Sequence, residues 1–256
     1  MRLLLLFGLA LAHAAPLLAQ VNIETLRSVD KDGLALSFST DVMFRSGNSN
    51  FAEVGMATRL DYRHTKHYTF VTGSLRYGEQ GGSAFRDRSF LHLRYNYDLS
   101  SQLVWEAFTQ IERDRFTLLK SRALGGTGLR LRLRLLADST SRVQVFPGTS
   151  LMLEHEVLDR DKVAEHPATV TAPRWSSYVN IRLKLTDTVS LIQTLYVQPR
   201  LDAFADIRLL NDAALAISLT KRVTLTTTFN LRYDARPPDN IESLDIFLRN
   251  GVSVRL

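Results

Sequence analysis

Residues 128–136 read GLRLRLRLL, and no other stretch limits what this chain can fold into as sharply. A helix would scatter Arg130, Arg132 and Arg134 around its circumference. A strand places all three on one face and the leucines between them on the other, because successive side chains alternate across the pleat. One face is then cationic and the other purely apolar, and the fold has to satisfy both.

The same alternation recurs along the whole chain. Leu34, Leu36, Phe38, Val42 and Phe44 share one parity; so do Leu91, Leu93, Tyr95, Tyr97 and Leu99, then Val179, Ile181, Leu183 and Leu185, and finally Leu244, Ile246, Leu248, Val252, Val254 and Leu256. About twelve amphipathic strands follow from this period of two. The opposite parity is polar and carries both signs with a basic excess. Its members include Arg59, Arg94, Glu106, Glu112, Arg130, Arg132, Arg134, Glu154, Arg182, Arg208, Arg232 and Arg249.

Two architectures share such a pattern: a soluble sandwich or barrel with the apolar face inward, and a membrane barrel with it outward. Three features favour the second. The strands run to about a dozen residues, where globular strands average about five or six and a tilted spanning strand needs about nine to eleven. A closed barrel of twelve strands lined with leucine would enclose an apolar void, since side chains fill barrels of only about eight strands. Closure also pairs every backbone polar group, as hydrocarbon demands. The expected fold is all-β, a transmembrane antiparallel up-and-down β-barrel of about twelve strands over residues 33–256. Connections alternate between short (65–67, 99–102, 137–141, 186–188, 220–222) and longer (78–88, 114–121, 157–174, 199–206, 235–242), as periplasmic turns and external loops do. Pro147 interrupts one strand pattern and predicts a bulge or bend there.

The chain opens with MRLLLLFGLALAHAAPLLAQ: one basic residue, a short apolar run, then small residues. This has the form of a secretory signal peptide, residues 1–19, with cleavage after Ala19, or after Ala14 as the alternative. A short periplasmic segment, 20–32, is expected to follow. Export argues against a nucleic-acid partner for the net charge of +6. The absence of cysteine rules out disulfides and thiolate metal sites.

Tyr95, Tyr97, Trp105, Trp175 and Tyr233 lie on the apolar parity and suit a membrane-interface girdle. His155 and Ser177 lie on the same parity and read first as polar rim residues beside the girdle of Trp175; a base and nucleophile pair is the remote alternative. The run Glu112, Arg113, Asp114, Arg115, with Lys120 and Arg122, reads as a solvated rim or a lipopolysaccharide phosphate site. The histidines have no metal spacing, so neither a metal nor a cofactor is expected, and the chain is not expected to be an enzyme.

The last eight residues, RNGVSVRL, resemble the insertion signal of outer-membrane barrels through Gly251, Val254 and Leu256, although that signal usually ends in an aromatic residue. The segments VNIETLRSVDKDG, SGNSN and SFLHLRYNYDLSSQLVWEAFTQIERDRFTLLKSRALGGTGLRL resemble the family of salt-induced outer membrane proteins. The resemblance covers nearly the whole chain after the signal. It implies a barrel in the outer membrane of a diderm bacterium, inserted by the barrel-assembly machinery among outer-membrane lipids and lipopolysaccharide. It assigns no chemistry. The function expected from the residues is a narrow, porin-like channel for anions or small polar solutes, linked to envelope or osmotic stress, since rings of arginine select anions. The alternatives are a plugged structural or lipid- or partner-binding barrel and, more remotely, a lipid hydrolase.

Overall fold

The computed structural model describes residues 32–47, 50–136, 142–163, 165–220 and 222–254. They form one antiparallel sheet: β1 (Gly33–Arg45), β2 (Phe51–His64), β3 (His67–Gln80), β4 (Ser83–Asp98), β5 (Leu103–Asp114), β6 (Leu119–Leu131), β7 (Leu133–Leu136), β8 (Arg142–Leu158), β9 (Thr169–Lys184), β10 (Val189–Pro199), β11 (Ile207–Ser218), β12 (Val223–Asp234) and β13 (Leu244–Val254). Each strand pairs with its neighbour in sequence, and β7 continues β6 past Arg132, so the sheet has an up-and-down order of twelve staves. No α-helix occurs among the described residues; one 3-10 turn, Arg115–Thr117, is capped by the Asp114 carboxylate accepting from the Phe116 amide. The signal peptide expected at 1–19 and the segment that follows it lie outside the described residues, except for Asp32.

The alternation read from the sequence becomes burial. In the GLRLRLRLL stretch, Leu129, Leu131 and Leu133 are 45%, 41% and 38% exposed, while Arg130 between them is 2% exposed. The same polarity holds elsewhere: Leu36, Leu91, Leu151 and Leu248 are exposed, whereas Arg94, Glu106, Glu112 and Glu154 are buried. The sheet therefore curls around its charged face and turns its apolar face out, the reverse of a soluble core. Contacts across the concave side link staves that are not neighbours. The Tyr178 hydroxyl on β9 donates to Glu106 on β5 at 2.9 Å, with β6 and β8 between them in the sheet. Among the described residues β1 pairs only with β2 and β13 only with β12, so these two strands do not meet as partners.

Three local expectations are corrected. The loop expected at 78–88 is mostly strand: β3 and β4 run on to a two-residue turn at Gly81 and Gly82, with φ of +57° and +81°. A tight hairpin turn needs positive φ at both central positions, which glycine supplies without a Cβ clash. The register shifts beside that turn, between Gly78 and Glu79, and Phe85 there lies over Gly78. The loop expected at 157–174 shrinks to 159–168, because β8 and β9 are longer than their apolar patterns. Pro147 makes no bulge. Gly148 faces Arg130 and Val145 faces Leu133, so the register is the same on both sides of the proline. Pro147 pairs with Val179 on β9 and lies, on its other side, where the β6 ladder ends at Arg130 and before the β7 ladder resumes at Leu133, so no ladder bond is asked of its missing N–H on that side.

Candidate functional site

The concave face is the candidate site, and its side chains are tied into a central ion-pair network with several smaller clusters beside it. Arg208 on β11 donates to both oxygens of Glu154 on β8, at 2.9 and 2.8 Å, and to Glu156 at 3.0 Å. Its Nε also donates to Asp234 on β12 at 2.8 Å. Arg122 on β6 links Glu112 and Glu156 at 2.5 and 2.6 Å, and Arg174 on β9 links Glu154 and Asp206 at 3.1 and 3.0 Å. Nearer the end that carries the short turns, Arg59 holds Asp61 at 2.7 Å, Arg94 and Arg130 approach Glu106 at 3.5 and 3.7 Å, and Arg132 pairs with Asp98. Arg232 holds Asp212 at 2.8 Å. Burying an ion costs several kcal/mol unless close partners compensate it; here one carboxylate often serves two or three guanidiniums.

Aromatic rings fill the space between the charges. The Arg59 guanidinium lies 4.0 Å from the Phe70 ring centre, and that of Arg130 lies 4.5 Å from Phe146. Arg94 stands over Phe108 and Arg182 over Phe146. His92 stacks with Phe70, Phe90 and Phe108. Small residues make room for this layer: a Cβ on Gly148 would overlap the Tyr178 ring, and one on Gly126 would run into Phe108 and Met152. The space left at this level, beside Arg94, Glu106, Phe108 and Tyr178, is about 50 Å³.

The structure brings Arg59, Arg94, Glu106, Glu112, Arg130, Arg132, Glu154, Arg182, Arg208 and Arg232 together on the concave face. The side chains of Arg134, Arg249 and Val254, and all of Leu256, lie outside the described residues; Gly251 lies on β13 opposite Thr226. Tyr95, Tyr97, Trp105, Trp175 and Tyr233 stand on the convex face, with Tyr95 and Trp105 in edge contact at 5.9 Å.

His155 and Ser177 are not brought together. His155 faces Thr171 and hydrogen-bonds its hydroxyl at 2.7 Å. Ser177 faces Thr149 six residues along the ladder, a separation of about 20 Å at strand rise. The charge run at 112–115 splits between faces. Arg113 points out and pairs with Asp87 at 3.1 Å, whereas Glu112 and Arg122 point in. The sequence reading missed the inward Tyr68, Phe70, Phe90, Phe108, Phe146 and Tyr178, all intercalated in the polar parity, where an isolated aromatic residue breaking the alternation was the available signal.

At the end that carries the longer loops, Arg200 donates twice to Asp202, at 3.0 and 2.7 Å, and once to Asp206. The hydrogen bonds from Arg200 hold the Asp202 carboxyl below the usual aspartate range.

These features define the class: an up-and-down sheet of the β-barrel type, apolar outside and filled with paired charges inside. The chain belongs to the family described as protein of unknown function DUF481, whose pattern matches residues 42–254. No curated protein matches it. Solved structures similar to it include the NanC porin, at 10% identity and a TM-score of 0.47 over 87% of this chain and 99% of that one. Others are the translocator domain of the autotransporter NalP from Neisseria meningitidis (11% identity, TM-score 0.39, covering 89% and 90%) and the β domain of the Bordetella autotransporter BrkA (13%, 0.35, covering 86% and 97%). At these TM-scores the likenesses carry no weight for the chain's role.

Proposed function

We propose that this chain is an outer-membrane β-barrel whose interior is closed by its own ion-paired side chains, a plugged barrel with lipid against its apolar exterior. The observation that carries this reading is Arg208, which reaches from β11 to Glu154 and Glu156 on β8. An arginine held by three carboxylates has no spare charge with which to draw an anion through. Twelve staves give an even count, so β1 and β13 run antiparallel and can pair; in hydrocarbon their edges must do so. The apolar outward parity supports lipid contact, and the end bearing the longer loops is the outer one by the usual barrel convention.

The test is conductance of the refolded chain in a planar bilayer under a salt gradient. A folded protein that carries no steady current supports the plugged barrel. Steady, anion-biased channels support the second reading, a narrow anion channel, which the basic excess of the concave face favours. Arg132→Glu separates the two: it inverts ion preference in a channel and changes only stability in a plug, where it repels Asp98. The salt link rests on the resemblance alone and predicts that the protein's abundance rises with external salt; constant abundance would remove it.

A further inference from the structure

We infer that the loop end of the interior holds a binding site for a small organic anion, built around Arg86 and Arg88. A cavity of about 270 Å³ lies there between β3, β4 and the 3-10 turn on one side and β12 and β13 on the other. Four guanidiniums line it, those of Arg76, Arg86, Arg88 and Arg232, together with the apolar side chains of Phe85 and Phe247.

Two of the four are loosely held. Arg86 stands 3.6 Å from a Glu53 oxygen that Arg76 already takes at 2.6 Å. Arg88 stands 3.7 Å from Asp114, whose other oxygen accepts from the Phe116 amide at 3.0 Å. Both separations exceed hydrogen-bonding range. The two side chains are only 21% and 13% exposed, so bulk water is largely kept from them. By contrast Arg122, Arg174 and Arg208 are clamped by carboxylates at 2.5–3.1 Å, while Arg94 and Arg130, at 3.5 and 3.7 Å from Glu106, line a space of only about 50 Å³ or are packed against Phe146. Cross-strand pairing also sets Arg76 opposite Arg88. Like charges directly opposite repel, and an anion placed between them relieves that repulsion.

The ligand class follows from the lining. Guanidinium forks match carboxylate and phosphate oxygens in paired hydrogen bonds. The volume sits just below the range of about 300–1,000 Å³ typical of drug-sized ligands, so the body is about one ring in size. Phe85 and Phe247 offer that ring apolar walls. Asp114 and Asp245 also line the cavity and offset part of the charge of the four guanidiniums, which suits a ligand with one or two negative charges.

The site depends on the inward parity of β3, β4 and β12 and not on whether the interior conducts, so it stands or falls apart from the conductance result. The test is calorimetric titration of refolded protein with phenyl phosphate, with inorganic phosphate and benzyl alcohol as controls. Phenyl phosphate should bind more tightly than either control. Arg86→Gln and Arg88→Gln should each weaken it by about tenfold or more, the loss of a charge-assisted hydrogen bond, with retained strand content and heat-modifiable migration showing that each is folded. Arg113→Gln, on the convex face, should leave binding unchanged. If a variant fails to fold, competition by the arginine reagent phenylglyoxal on the wild type decides: phenyl phosphate should protect Arg86 and Arg88 from modification. Equal binding of phenyl phosphate by wild type and folded variants, no binding at all, or modification unaffected by ligand would overturn the proposal.

Discussion

Arg208 and Glu154 sit three staves apart in the sheet yet form a two-pronged ion pair, with Nη1 at 2.9 and 2.8 Å from the two carboxylate oxygens. A neighbouring-strand pair would say only that two strands are in register. This one fixes the curl of the sheet, because β8 and β11 can share a bond only if β9 and β10 arch over it. Removing one partner leaves the other buried and undercompensated. Arg208→Ala should therefore destabilise the folded protein by about 3–5 kcal/mol, read as a lower midpoint of denaturant unfolding in lipid vesicles.

Tyr178 reaches Glu106 only because position 148 has no side chain. Gly148→Val should push the ring away and destabilise by about 1–3 kcal/mol, the usual penalty for overpacking. In a Tyr178→Ser background the same change should cost far less. Equal costs in the two backgrounds would show that the ring does not depend on the glycine.

Closure of the sheet can be trapped chemically, since the chain has no cysteine of its own. Single cysteines at Ser37 on β1, combined in turn with cysteines at Asp245, Phe247 and Gly251 on β13, should give one combination that oxidises readily in lipid. A disulfide needs Cα atoms about 4.4–6.8 Å apart, so success in one register and failure in the others would report edge pairing. Failure of every combination, extended over the inward positions of β13, would mean that β1 and β13 do not pair.

The clamp at residues 200–206 has a defined pH window. Asp202 is held below its ordinary range by hydrogen bonds from Arg200. A carboxyl with a depressed folded-state value contributes fully above its unfolded value, and the contribution is lost as pH falls through the folded one. The Arg200 amide, which donates to the Asp206 carbonyl at 2.9 Å, should keep its hydrogen-exchange protection at neutral pH. After correction for intrinsic rates, protection should fall only as the pH drops below the ordinary aspartate range. Asp202→Asn should remove that pH step.

Much of the fold was legible because period-two alternation is a direct imprint of a two-faced sheet. GLRLRLRLL alone assigns Arg130 inward and its leucines outward. The Gly81–Gly82 hairpin was hidden by polar residues on both flanks, which read as loop although they are long strand ends. Pro147 misled because a proline in a strand usually signals a distortion, and sequence does not reveal where a neighbouring ladder lapses. The inward charges could be listed but not matched: which carboxylate meets Arg208 depends on curvature, which sums over every strand. For the same reason the loose hold on Arg86 and Arg88 is invisible without the competing claims of Arg76 on Glu53 and of the Phe116 amide on Asp114.

The central claim is that this sheet is inside out, with lipid on its apolar face and a filled, charged interior. The most direct measurement is spin-label accessibility of single cysteines placed along the sheet in lipid vesicles. Labels at Leu93, Leu151 and Leu248 should be relaxed by oxygen dissolved in the bilayer and shielded from a water-soluble nickel chelate, whereas labels at Ser150 and Ser176 should be shielded from both. Outward positions open to the chelate, or inward positions open to oxygen, would contradict the account.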